Sequence, residues 1–144
     1  MLKGTDPLLG PDLLHALALM GHGDEIVIVD ANFPAASVAR KTVYGSALAM
    51  GCDALQALST ILTVFPLDEH EPDPVSTMQM VGQPETMPPV VEQSLPILRP
   101  YNVAPVGIER FAFYRRAQTA FAVVRTAEMR PYGNFILRKG VISL

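Results

Sequence analysis

The chain has no tryptophan and a single cysteine, Cys52, among 144 residues. One thiol cannot form a disulfide framework within the chain, and it cannot build a cysteine-based zinc cage. Charge is also scarce, with Asp, Glu, Lys and Arg at 17% and a net charge of −3. No run of Lys or Arg is present, so the electrostatic footprint of a nucleic-acid or anionic-membrane binder is missing. No apolar run approaches the ~18 residues needed to cross a bilayer. Lys3, Asp6, Pro7, Gly10 and Pro11 interrupt any secretory-type apolar leader at the start. A cytoplasmic protein is expected.

Apolar side chains, by contrast, make up 49% of the residues. That is enough for one well-packed domain spanning 1–144, with apolar surface to spare. Sparse charge on a small domain suggests that copies of the chain cover part of one another, so a homo-oligomer is expected.

Local signals set out the elements. In "LGPDLLHALALMGHG" Gly10 can cap a helix whose first residue is Pro11, where the missing N–H costs nothing. Leu13, Leu14, Leu17 and Met20 form its inner stripe, Leu9 staples its start, and Gly21 sits where a left-handed C-cap is expected. Ile26–Val29 is a continuous apolar run that suits a strand covered on both faces. Asp53 can cap a second helix reciprocally with Gln56, and Leu55, Leu58, Ile61 and Leu62 make its buried face. Residues 67–74 read as an acidic, proline-bearing loop, and 75–81 as a strand with Met78 and Met80 on one face. The proline-rich stretch 82–105 allows at most a short helix over Pro89–Leu98, strained by Pro96. Val106–Ile108 reads as a strand and "ERFAFYRRAQTA" as a helix. "FAVVRT" and "FILRKG" read as strands joined by a turn through Pro131–Gly133. Alternating helices and strands predict an α/β domain of three layers, a mixed sheet flanked by helices.

Four places carry chemistry. His22 stands between Gly21 and Gly23, an accessible imidazole that can give and take protons near neutrality. It can equally be an ordinary loop histidine. Asp30 follows the buried strand at its carboxyl end, where open α/β sheets hold ligands, though it also suits a turn ahead of Pro34. Arg110 and Tyr114 are four apart on one helix face. "PYGN" at 131–134 is a normal turn that can also present hydrogen bonds to a polyol. No spacing of His15, His22 and His70 supports a metal site, no phosphate-loop pattern occurs, and Cys52 lacks an activating partner. The remaining inventory suits cofactor-free proton transfer on a neutral, hydroxyl-rich molecule.

The combination "GPDLL…MGHGDEIVIVDANFPA", "IERFAFY", "AFAVV" and "YGNFILRKGV" resembles the fucose mutarotase/ribose pyranase (RbsD/FucU) family, whose N-terminal pattern is "SPELL…MGHGDEI…DA-FPA". The resemblance covers roughly two-thirds of the chain: the first 35 residues or so, the helix near 53–65, and 107–141. It implies an isomerase that interconverts sugar anomers without cofactor or metal. It also implies His22 as proton donor, with Asp30, Arg110, Tyr132, Gly133 and Asn134 contacting a monosaccharide, and Tyr132 as the loosely assigned opposite catalyst. Decameric rings or dimers with sites near subunit boundaries are implied as well, so these residues are expected to converge on one concave pocket. Ribose-type relatives tend to carry His where Arg110 stands and Lys where Tyr114 stands, which favours L-fucose or a related sugar. Against that, "VYGSALAMG" at 43–51 departs from the fucose-type "IRADGL". The alternatives are a ribose pyranase-type enzyme, or a non-catalytic sugar-binding or transport-associated protein on the same scaffold.

Overall fold

A computed structural model describes residues 1–144. Its helices are α1 (Pro11–Leu19), α2 (Ala35–Ala39), α3 (Ala54–Leu62), α4 (Pro89–Leu98) and α5 (Arg110–Gln118). Its strands are β1 (Glu25–Val29), β2 (Leu48–Ala49), β3 (Val75–Met78), β4 (Val106–Ile108), β5 (Ala122–Arg125) and β6 (Phe135–Arg138). They form one mixed sheet in the order β2-β5-β1-β6-β3-β4. β1 runs parallel to β5 and antiparallel to β6, and β6 is also antiparallel to β3.

Ile26 to Val29 have no exposed surface, as their unbroken apolar run predicts. Alternation sends Ile26 and Ile28 into the larger core with α1, α3 and α4. Val27 and Val29 enter the smaller core beneath α2 and α5. The expected three-layer α/β domain is therefore observed.

Local signals place several helix ends correctly. Gly10 caps α1 with Pro11 inside its first turn, and Asp53 Oδ1 accepts the Gln56 N–H at 2.8 Å. The chain departs from the sequence expectations in three places. Met20, not Gly21, is the C-cap of α1, and the left-handed residue of the following turn is Gly23, at φ 86°. The short helix expected over Pro89–Leu98 does form, as α4, and it continues through Pro96. Pro96 and Glu92, whose carbonyl loses its donor, are both exposed, so water can take that bond. "FAVVRT" and "FILRKG" do not pair, because β1 lies between β5 and β6 and the 126–134 connection crosses its end. The strand expected over 75–81 stops at Met78.

The turn before β1 docks on the far end of β6. Gly23 N–H donates to Lys139 O at 2.8 Å, and Lys139 Nζ reaches Leu17 O and Met20 O, capping α1 with positive charge. Gly140 follows, so close to the 66–68 segment that an added Cβ would lie 2.4 Å from Leu67 O and 2.8 Å from Asp68 Cα. Backbone cannot yield as a side-chain tip can. Gly140→Ala is expected to destabilise the fold by about 1–3 kcal/mol, whereas Gly51→Ala, with nothing within 4 Å, stays within about 0.5 kcal/mol. Urea denaturation of both variants checks this; equal midpoints would show that the 66–68 contact does not constrain position 140.

Candidate active site

The sequence-predicted residues fall into two groups at opposite ends of β1. His22 precedes the strand and Asp30 follows it. At about 3.3 Å per residue, roughly 15–20 Å of extended chain separates them. One chain does not gather them into a single pocket. The register explains the grouping: Glu25 pairs with Arg138 and Ile28 with Phe135, so Tyr132–Asn134 lie beside Asp30 and the end of β6 lies beside His22.

At the Asp30 end, the buried Asp30 uses Oδ1 to accept the N–H groups of Asn32 and Phe33, each at 3.0 Å. This closes the turn after β1 and turns the carboxylate back over the strand end. Asp30 N–H donates to Asn134 Oδ1 at 2.9 Å, and Asn134 is itself buried against Met78. Tyr132 holds a left-handed backbone at φ 63°, an unusual conformation for an aromatic residue. Its hydroxyl oxygen accepts the Val81 N–H at 3.2 Å, which leaves the phenolic proton free to point elsewhere. Val81 also lines a cavity of about 230 Å³ with Gln79, Met80, Gly82 and Arg110.

Arg110 opens α5 behind Glu109, whose carboxylate accepts the Phe111 and Ala112 N–H groups. Those two bonds, chiefly the one from Phe111, hold Glu109 below the usual carboxylate range. The Arg110 guanidinium lies 4.7 Å over the Phe111 ring, and its buried Nε has no partner. An orphaned donor of this kind is costly without a ligand. The stack of Phe33 on Tyr114, with ring centroids at 5.2 Å, backs this end of the sheet.

At the other end, His22 is half exposed, and its Nε2 lies 3.2 Å from Asp68 Oδ2. Asp68 is almost completely buried. It also accepts from His70 N–H at 3.0 Å and Arg138 Nε at 3.1 Å. The His70 N–H bond, then those from His22 and Arg138, lower the Asp68 pKa below its ordinary value and keep the carboxylate charged. Against a charged acceptor Nε2 is the protonated nitrogen, so Nδ1 is the ring's free position in the neutral imidazole. Sequence reading places Asp68 in a plain acidic loop and misses it. No local signal marks its link to the imidazole, because its side-chain partners His22 and Arg138 are 46 and 70 residues away.

The pH dependence follows in sign from the lowered pKa. The stabilisation from charged Asp68 is present above the unfolded-state value of ~3.9 and is lost as pH falls through the lower folded value. Asp68→Asn is therefore expected to be less stable than wild type at pH 7, with the gap closing only in the acid range below about pH 4. Urea denaturation from pH 7 to pH 3 measures that gap, and a gap independent of pH would contradict it.

The model of the RbsD / FucU transport protein family matches residues 3–142. The chain is 45% identical to human fucose mutarotase, covering 99% of this chain and 96% of that protein. Its fold superimposes on FucU from Bifidobacterium longum with a TM-score of 0.89 at 36% identity, over 98% of this chain and all of the other. It also superimposes on fucose mutarotase from Streptococcus pneumoniae, solved with L-fucose, with a TM-score of 0.86 at 34% identity, covering 99% and 100% of the two chains.

Proposed function

The chain belongs to the RbsD / FucU transport protein family, and on that premise we propose that it is a sugar mutarotase acting on L-fucose or a sugar of related configuration. The observation that carries this reading is His22, a half-exposed imidazole bonded to the buried, charged Asp68. Anomer exchange needs a base to take the C1 hydroxyl proton while an acid protonates the ring oxygen. The C1–ring-oxygen bond then breaks and the electron pair of the former O–H bond becomes the aldehyde π bond. Rotation and the reverse steps give the other anomer. An imidazole has two ring nitrogens, one able to carry a proton for donation and one able to accept, so it suits either transfer. The uncatalysed reaction already proceeds, so only a modest lowering of the barrier is required.

His22 is the proton donor in its doubly protonated form, with Nδ1–H facing the sugar, and Tyr132 is the opposite group, which takes the C1 hydroxyl proton only after giving up its own phenolic proton. Asp30, Arg110, Gly133 and Asn134 bind and orient the sugar. Asp30 Oδ1 is occupied by its own turn, which leaves Oδ2 for a sugar hydroxyl. Arg110 and Tyr114 stand where ribose-type relatives tend to carry His and Lys, which supports the fucose-type sugar. The named relatives support it too: fucose mutarotases from human and from Streptococcus pneumoniae.

Because the two halves sit at opposite ends of one sheet, the complete site forms between two copies, His22 of one meeting Asp30 and Tyr132 of another. Val81 and Phe111 beside the Arg110 cavity, and Met129 on the neighbouring loop, are apolar yet 59%, 56% and 76% exposed, surface that a second copy would cover.

Saturation-transfer NMR between the α and β anomeric signals tests the activity. His22→Ala is expected to lower exchange by about 10²-fold or more with affinity within a few fold, and Asp30→Asn to weaken binding. Co-assembly of the two inactive variants is expected to restore part of the exchange, since one interface class then carries both intact halves. Binding without exchange by the wild type would favour a non-catalytic sugar-binding role. A monomer by light scattering, or no restoration on co-assembly, would overturn the shared site.

A further inference from the structure

A third buried carboxylate, distinct from Asp30 and Asp68, lies under the sugar-facing end. Glu128 is 3% exposed and sits on the 126–134 connection. Its Oε1 accepts Arg130 N–H at 3.0 Å and Arg130 Nε at 2.9 Å, and its Oε2 accepts Arg130 Nη2 at 3.0 Å. Oε2 also lies 3.4 Å from the N–H of Ala54, the first residue of α3. The Glu128 carbonyl accepts the N–H of Ala31, next to Asp30, at 2.8 Å. Its Cγ lies 2.8 Å from the point where a Cβ on Gly133 would stand. One residue thus touches the turn after Asp30, the Tyr132–Asn134 turn and the start of α3.

We propose that Glu128 is a positioning residue for the sugar site. Pinned by Arg130 and Ala54, it fixes the distance between Asp30 and the Tyr132–Asn134 turn. It touches no substrate itself. The physical case is threefold. A charge this deeply buried is costly unless paired, and here it is paired through a two-point guanidinium contact, a rigid geometry. Tyr132 holds a left-handed conformation that its surroundings must impose, and the adjoining Gly133 has room for no side chain against Glu128. Finally, a clamp shared by both walls sets the hydroxyl-binding geometry to within the fraction of an ångström that binding requires. Arg130 is held in turn by Gln93 Oε1 of α4 at 2.9 Å, which ties the clamp to the core helices.

The proposal rests on the sugar-site assignment above, so its test includes a measurement that does not. Glu128→Gln keeps the shape but loses the charge that grips Arg130. The folded variant is expected to raise KM for L-fucose roughly tenfold while kcat in anomer exchange stays within about threefold. The backbone amide shifts of Gly133 and Asn134 should move even without sugar. In Arg130→Met the buried Glu128 loses the contact that chiefly lowers its pKa. Asp53, the cap of α3 beside Ala54, and Asp30, beside Ala31, are the titratable groups next to its other backbone partners, and neither supplies positive charge. Glu128 then titrates higher than in the wild type, so the rise in KM on acidification is expected to set in at higher pH in this variant than in the wild type. A Glu128→Gln protein with a lowered melting temperature but unchanged KM and unchanged Gly133 and Asn134 shifts would overturn the proposal. If Glu128→Gln does not fold, Arg130→Met decides, and a KM with the wild-type pH dependence overturns it. If the wild type exchanges no sugar anomers the site assignment fails instead, and the amide shifts alone judge the clamp.

Discussion

β1 is buried on both faces and hydrogen-bonded along both edges, and the rest of the chain is arranged around that double burial. Its five residues pair with β5 on one side and β6 on the other while feeding one apolar core above and another below. A one-residue slip would exchange Ile26 and Ile28 with Val27 and Val29 between two cores of different shape, so the register is strongly held. Both groups of polar residues hang from the ends of this strand. They inherit its rigidity, which loops of their own could not provide.

The polar ends follow one electrostatic rule. Asp68, Asp30 and Glu128 are buried carboxylates, and each is held by backbone N–H groups, arginine or both. Satisfaction of this kind turns a desolvated charge from a liability into a fixed geometric reference. At the His22 end it orients an imidazole, and at the Asp30 end it shapes two turns against each other.

Much of the fold was legible in local sequence. Gly10–Pro11 and Asp53–Gln56 mark helix starts because these signals involve residues no more than three apart. The run from Ile26 to Val29 announces a central strand. Short elements were not legible: α2 has five residues and β2 two, too few for any period to show. The separation of His22 from Asp30 was available in principle, since an extended strand lies between them. Within one chain that strand keeps the two groups apart.

What the sequence by itself determined is therefore the inventory and the local grammar: an α/β chain with an imidazole before a buried strand, a carboxylate after it, and a tyrosine–glycine–asparagine turn late in the chain. What only the tertiary structure decided is which of these meet. Asp68 joins His22, and Glu128 lies beneath Gly133, through contacts that depend on sheet order, and β1 enters between β5 and β6 although they follow one another in sequence. Strand order is set by the burial of whole faces, a property of the assembled layers. No window of neighbouring residues contains it.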